Sequence, residues 1–235
     1  MSKIEWDQTG ERFYHNGVSN GVLYPQKADG TYDNGVAWNG LTGVDESPDG
    51  GDTNDLWADN IKYGSLRGAE NFKGSISAYH YPDEFNACDG KVVTPEGIVI
   101  GQQRREPFGF VYRTEIGNDT ASGSDDGYII HVVWNATVSP SDRSYETIND
   151  SPDAIEFSWD FETIPVPVTG ISGVKHLSTM EFNSLKLTAA QMTALKDKLF
   201  GTNGEGSSTG TEPTLPDPDT LYSLVAAATG VTGET

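Results

Sequence analysis

Cysteine is nearly absent. Cys88 is the only one, so the chain can form no internal disulfide and no cysteine-based metal cluster. Basic residues are scarce: 15 Lys and Arg stand against 35 Asp and Glu, a formal charge of −20. Holding nucleic acid by counterion release, or lying on an anionic membrane, needs clustered Lys and Arg, so neither partner is expected. No run approaches the length of a membrane span, and residues 1–14 lack the apolar core of a signal segment. These features fit a chain made in a reducing cytoplasm and used in water. The histidines His15, His80, His131 and His176 never stand two or four apart. Local metal-site spacing is therefore missing, and no metal or cofactor is expected. G-x-S-x-G, P-loop and G-x-G-x-x-G patterns are also missing. His131, in an apolar stretch, is expected in the core or an interface.

What is abundant is turn chemistry, with 27 glycines and 12 prolines in 235 residues. That length suits one large β-rich domain or two small ones. The clearest pattern runs from Asp153 to Val168. Ile155, Phe157, Trp159 and Phe161 share one parity, and Glu156, Ser158, Asp160 and Glu162 share the other. Strict alternation marks a strand with one buried face. Residues two apart on a strand are about 6.5 Å apart, inside a Debye length of about 8 Å at physiological salt. Such a row of carboxylates is tolerated if well solvated, if a cation sits there, or if a negative surface is wanted.

Further strands are expected around Glu11–Tyr14 and Val18–Tyr24, with turns at Asn16-Gly17 and Asn20-Gly21. Others are expected over Val36–Leu41, Ile61–Tyr81, Val92–Ile100 (weak, broken by Pro95 and Gly97), Phe108–Glu115, Tyr128–Thr137 and Lys175–Leu187. Tyr128–Thr137 is apolar on both parities, as in the middle of a packed sheet. Residues 43–60 form the longest loop, rich in Asp and Gly but without the spacing of a calcium loop. Leu56 and Trp57 inside it suggest a partner surface. Loops are also expected over Ser122–Gly127 and Ser139–Pro152. One helix follows Thr188, with Gln191 completing a capping box, Ala190, Leu195 and Leu199 facing a sheet, and Gly201 as its stop. Thr202–Asp219 has linker composition, and Leu221–Ala228 is a short docking helix or nothing.

Glu156, Asp160 and Glu162 are the carboxylates that glycoside hydrolysis would use. Trp159 has the opposite parity, however, and no stacking platform accompanies them, so no catalytic residue is assigned. A β-sandwich module binding carbohydrate or a cell surface is the alternative to a structural role.

A set of short phrases stands in order along the chain. They are Trp6-Asp7-Gln8-Thr9-Gly10-Glu11-Arg12, Gly21-Val22-Leu23-Tyr24-Pro25, Ala37-Trp38-Asn39-Gly40-Leu41 and Glu46-Ser47-Pro48. Ala58-Asp59-Asn60-Ile61-Lys62-Tyr63, Tyr81-Pro82-Asp83-Glu84-Phe85, Phe108-Gly109, Tyr112-Arg113-Thr114 and Gly117-Asn118-Asp119 follow. Thr147-Ile148-Asn149-Asp150-Ser151-Pro152 and Pro165-Val166-Pro167-Val168 complete it. Over roughly residues 4–200 this ordered set resembles the major tail (tail tube) proteins of long-tailed bacteriophages, in the group common among phages of Gram-positive hosts.

The resemblance implies a mainly β fold, a sandwich or barrel-like subunit flanked by one α-helix. It implies homo-hexameric rings whose sheets join into a continuous inner β-barrel, stacked into a tube that conducts DNA from capsid to host cell. It implies a virion protein assembled in the bacterial cytoplasm beside tape-measure, tail terminator and distal tail proteins. On that footing Glu156, Ser158, Asp160 and Glu162 line the lumen, where like charge keeps DNA from adhering. Asp45, Glu46, Asp49, Leu56 and Trp57 in the 43–60 loop make ring-to-ring contacts. An N-terminal arm over residues 1–15 adds contacts through Trp6 and Phe13. Residues 1–200 are the tube domain, and 201–235 a Gly/Pro/Ser-rich extension.

Overall fold

A computed structural model describes residues 3–120, 127–148, 150, 153–204 and 209–228. The loop expected over Ser122–Gly127 lies outside this description apart from Gly127. The first strands are β1 (Phe13–Pro25), β2 (Val36–Trp38), β3 (Leu41–Glu46), β4 (Asp49–Gly50), β5 (Thr53–Ala58), β6 (Ile61–Arg67), β7 (Glu70–Asn71) and β8 (Lys73–Ala78). After the single turn α1 (Phe85–Cys88) come β9 (Val92–Val93), β10 (Val99–Ile100), β11 (Phe108–Asn118), β12 (Gly127–Val138) and β13 (Phe157–Thr163). The chain continues through β14 (Val166–Pro167), β15 (His176–Leu177), β16 (Thr179–Asn183), α2 (Ala189–Phe200) and α3 (Pro218–Ala227).

The main sheet is antiparallel, in the order β2-β1-β11-β12-β13-β8-β3, with β16 also paired to β12. β12 is the trunk of a fork. Ile129–Val133 pairs with β16 and Ala136–Val138 pairs with β13, on the same edge. Asn135, at φ +53°, sits where the register slips. A left-handed residue inserted there bends the strand and sends the two branches apart. The β13-β8-β3 branch curls until β3 approaches β1.

Each face of this sheet has its own core. Inside the curl, Trp38, Phe85, Phe110, Trp159 and Phe161 are buried together. Trp38 and Phe85 centroids are 4.5 Å apart, and those of Phe85 and Trp159 5.1 Å. On the other face, Val111, Ile130, Val132 and Trp134 meet the helices. β12 is covered on both sides, which is why both its parities are apolar.

α2 has the expected capping box, Thr188 and Gln191 bonding reciprocally. Its buried face is Met192, Leu195 and Leu199, three and four residues apart; Ala190 is exposed. Burying each Leu is worth about 1.5–3 kcal/mol.

The structure departs from the sequence reading in several places, among them Ile61–Tyr81, which is β6, β7 and β8 rather than one strand. Asn16-Gly17 and Asn20-Gly21 are not hairpin turns: β1 is one strand of 13 residues. Gly17 (φ +64°) and Asn20 (φ +53°) instead supply left-handed residues where its register against β11 shifts. The same chemistry that closes a hairpin also makes a bulge. Residues 43–60 are not one loop either. Most belong to β3, β4 and β5, and an excursion from Leu41 to Ala78 leaves the sheet along β3 and returns along β8.

Lastly, residues 209–219, expected within a linker, are packed: Leu215 is buried with the α2 side chains and Pro218 opens α3. Asp217 caps α3 by accepting from the Thr220 amide at 2.9 Å, and Leu221 and Val225 are buried beside α2. Of the two readings of Leu221–Ala228, the docking helix is the one found.

Candidate functional site

The excursion ends in a hairpin that pairs only with itself, β5 against β6. Its two turn residues, Asp59 (φ +50°) and Asn60 (φ +64°), are both left-handed, the conformation that matches strand twist in a two-residue hairpin. The register places Leu56, Ala58, Ile61 and Leu66 on one face. Asp55, Lys62 and Ser65 share the other with Trp57, and Lys62 pairs with Asp55 at 2.7 Å. The apolar face is uncovered: Ile61 is 63% exposed and Leu66 58%. Trp57 and Tyr63 are exposed as well. A lone two-stranded hairpin is marginal in water, and a cluster of exposed apolar side chains marks a contact surface.

The residues expected at ring contacts divide among three places. Leu56 and Trp57 stand on the hairpin. Asp49, in β4, pairs with Lys73 at 3.0 Å. Asp45 lies on β3 opposite Ser75, while Glu46, at the end of that strand, accepts a hydrogen bond from the Tyr112 hydroxyl.

The alternation holds over β13, which begins at Phe157; Glu156 just precedes it, and Ile155, expected on the buried side, is exposed. Trp159, Phe161 and Thr163 are buried, and Glu156, Ser158, Asp160 and Glu162 are exposed. Pairing broadens the row into a surface. Ser158 stands opposite Ser77, Asp160 opposite Ser75 and Glu162 opposite Lys73 on β8, with Asp45 beyond on β3. Thr42 donates to Glu156, and Ser77 Oγ lies 3.3 Å from Ser158 Oγ. This is a polar face bearing Asp45, Glu156, Asp160 and Glu162, with Lys73 at its Glu162 end, where it pairs with Asp49.

The N-terminal arm, residues 3–12, bends at Asp7 (φ +53°), turns over Gln8–Glu11 and leaves Trp6 74% exposed. It is moored at Gly10, whose amide donates to Asp119 at 2.9 Å and whose carbonyl accepts from Asn118 at 2.7 Å. Phe13 begins β1, half-exposed.

The sequence reading missed a second projecting hairpin, β9 with β10, which holds Val92, Val93, Ile98, Val99 and Ile100 in solvent. The run of β-branched residues was its signal; Pro95 and Gly97 look like interruptions but form the turn, with Gly97 at φ +85°. It also missed Arg143, which donates to Asp89 at 2.6 Å and covers the Tyr81, Phe157 and Trp159 rings.

Apolar side chains held out on self-paired hairpins, beside a broad acidic sheet face, define a subunit made to join other subunits. The chain belongs to the phage tail tube protein family, which it matches over residues 1–200. It is a structural component of the virion tail tube. Among solved structures it is similar to a chain of an extracellular contractile injection system, the PVC sheath-tube complex in its extended state. That chain is 12% identical with a TM-score of 0.32, and the likeness covers 69% of this chain and 88% of the other. No curated protein matches the sequence.

Proposed function

We propose that six copies close into a ring, that rings stack into the tail tube, and that the tube conducts DNA without catalysis. The observation that carries this reading is the acidic face of β13, β8 and β3, with the apolar β5–β6 hairpin projecting from the same excursion. If each subunit gives four strands to a common barrel, the ring has roughly 24, and at about 4.8 Å each its diameter is near 37 Å before tilt. A wall for passing DNA must not hold it. Glu156, Ser158, Asp160 and Glu162 would line this bore, where like charge repels phosphate.

The β5–β6 hairpin, through Leu56 and Trp57, joins one ring to the next, with Asp45, Glu46 and Asp49 nearer its root. The N-terminal arm adds Trp6 and Phe13. Residues 1–200 are the tube-building unit and 201–235 its C-terminal extension, of which 209–228 reinforce the unit. Assembly takes place in the host cytoplasm, where tape-measure, terminator and distal tail proteins set length and ends. The subunit's partners are other tail proteins and transiting DNA. Among the described residues no helix is long and apolar enough to cross a membrane.

Negative-stain electron microscopy of concentrated protein, beside sedimentation, tests the reading. Rings of six or hollow tubes with a bore of several nanometres are expected. Rings of another order would refute the hexamer, and solid filaments the conduit.

A further inference from the structure

Side chains from distant parts of the sequence converge at His131, in the part of β12 that pairs with β16. Tyr112, His131 and Glu181 stand directly opposite one another on β11, β12 and β16. Glu46, at the end of β3, reaches over this row. His131 Nδ1 lies 3.7 Å from Glu46 Oε1 and 3.6 Å from Glu181 Oε1. We propose that Glu46, His131 and Glu181 bind one divalent transition-metal ion, tying β3 to β12 and β16.

Acidic residues gathered on a surface would not justify this. The second observation is the imidazole itself: His131 is 8% exposed, and its Nδ1 has no hydrogen-bond partner among the described residues. A buried polar atom without a partner is costly, and this one is aimed between two carboxylates.

The remaining geometry is that of a supported ligand set. His131 Nε2 is 2.9 Å from Thr114 Oγ1. When Nε2–H donates there, the Nδ1 lone pair is directed at the carboxylates, the way outer partners orient ligating histidines. Tyr112 stacks flat on the imidazole, at 4.5 Å and 2°, and its hydroxyl holds Glu46. Two ligands about 2.1 Å from a tetrahedral zinc ion are roughly 3.4 Å apart, close to the separations found. One imidazole with two carboxylates suits zinc, manganese and their neighbours. Glu181, its side chain 56% exposed, leaves the site open to entry and to water as a further ligand.

The test is zinc titration of chelator-stripped full-length protein, by calorimetry and thermal unfolding. Glu181→Gln is the deciding variant, because a half-exposed side chain can change without unfolding the chain. His131→Gln is the second, and Glu96→Gln, on a remote turn, controls for adventitious binding to an acidic protein. One ion per chain is expected, with a rise in Tm on the order of 5–10 °C at a hundredfold excess over Kd. Glu181→Gln should weaken binding at least about tenfold, and Glu96→Gln should not. No rise in Tm, or a Glu181→Gln protein that binds within about tenfold of the parent, overturns the proposal.

Discussion

Trp134 Nε1 donates to the carbonyl oxygen of Pro216 at 2.9 Å. This bond joins the central strand to a segment beyond residues 1–200, the span shared with the family. Leu215 fills the adjacent space over β11. A Cβ on Gly109 would lie 2.1 Å from a Leu215 methyl, so the missing side chain is what admits it.

The extension should therefore stabilise the whole domain. Leu221→Ala removes a fully buried side chain and is expected to cost about 2–4 kcal/mol, read by urea unfolding. Gly109→Val should be comparably damaging, while Tyr222→Ala, exposed on the same helix, should change little. Equal stability of all three would mean that α3 is not docked in solution.

Asp219 makes the docking of α3 sensitive to acid. Its carboxylate accepts from the Thr169 and Gly170 amides, both at 2.9 Å, and from the Thr169 hydroxyl at 3.0 Å. These bonds favour the charged form and hold its pKa below the ordinary carboxylate value. Its contribution is thus present above the unfolded pKa of about 3.9 and is lost as pH falls through the lower folded value. Asp219→Asn should be less stable than the parent near neutrality and converge on it in strong acid. A stability difference unchanged by pH would show that the amide replaces the carboxylate fully.

Cys88 is packed inside the curl and its thiol is pushed up to about 12, chiefly by burial. At pH 8 its thiolate fraction is on the order of one in ten thousand. Ellman's reagent should leave the native protein almost unmodified and react promptly in guanidinium. Prompt reaction of the native protein would place this core in frequent exchange with open forms.

That silent cysteine makes a test of the lumen possible. Ser158→Cys puts one reactive thiol on the acidic face. In tubes, a small maleimide should label it while a bulky polymer-linked maleimide should not; free subunits should accept both. Labelling of tubes by the bulky reagent would put this face outside, and exclusion of both reagents would bury it between subunits.

Leu56→Ala with Trp57→Ala should leave stability within about 0.5 kcal/mol, as for exposed side chains elsewhere, yet prevent polymerisation under conditions where the parent forms tubes. Normal tubes from this variant would remove the hairpin from the ring contact.

Much of this was written locally in the chain. Period-two alternation placed Trp159 and Phe161 inside and Asp160 and Glu162 outside, because adjacent residues on a strand point to opposite faces whatever the neighbouring strand is. The capping box from Thr188 to Gln191 closes within one turn, so it too was legible. Apolar residues on both parities of β12 announced cover on both faces.

Other features depended on partners far along the chain. Asn16-Gly17 is compatible with a turn or a bulge, and only the pairing of β1 with β11 decides between them. Residues 202–219 have the composition of a linker, and only the gap over Gly109 turns Leu215 into a core residue. Glu46, His131 and Glu181 carry no shared spacing; register across β11, β12 and β16, with β3 curling over, brings them within reach. Which side chains seek burial, and where helices and turns begin, could be read locally, since those preferences act over a few residues. Which strands are neighbours and which distant charges meet could not, since that follows from how two cores close around one sheet.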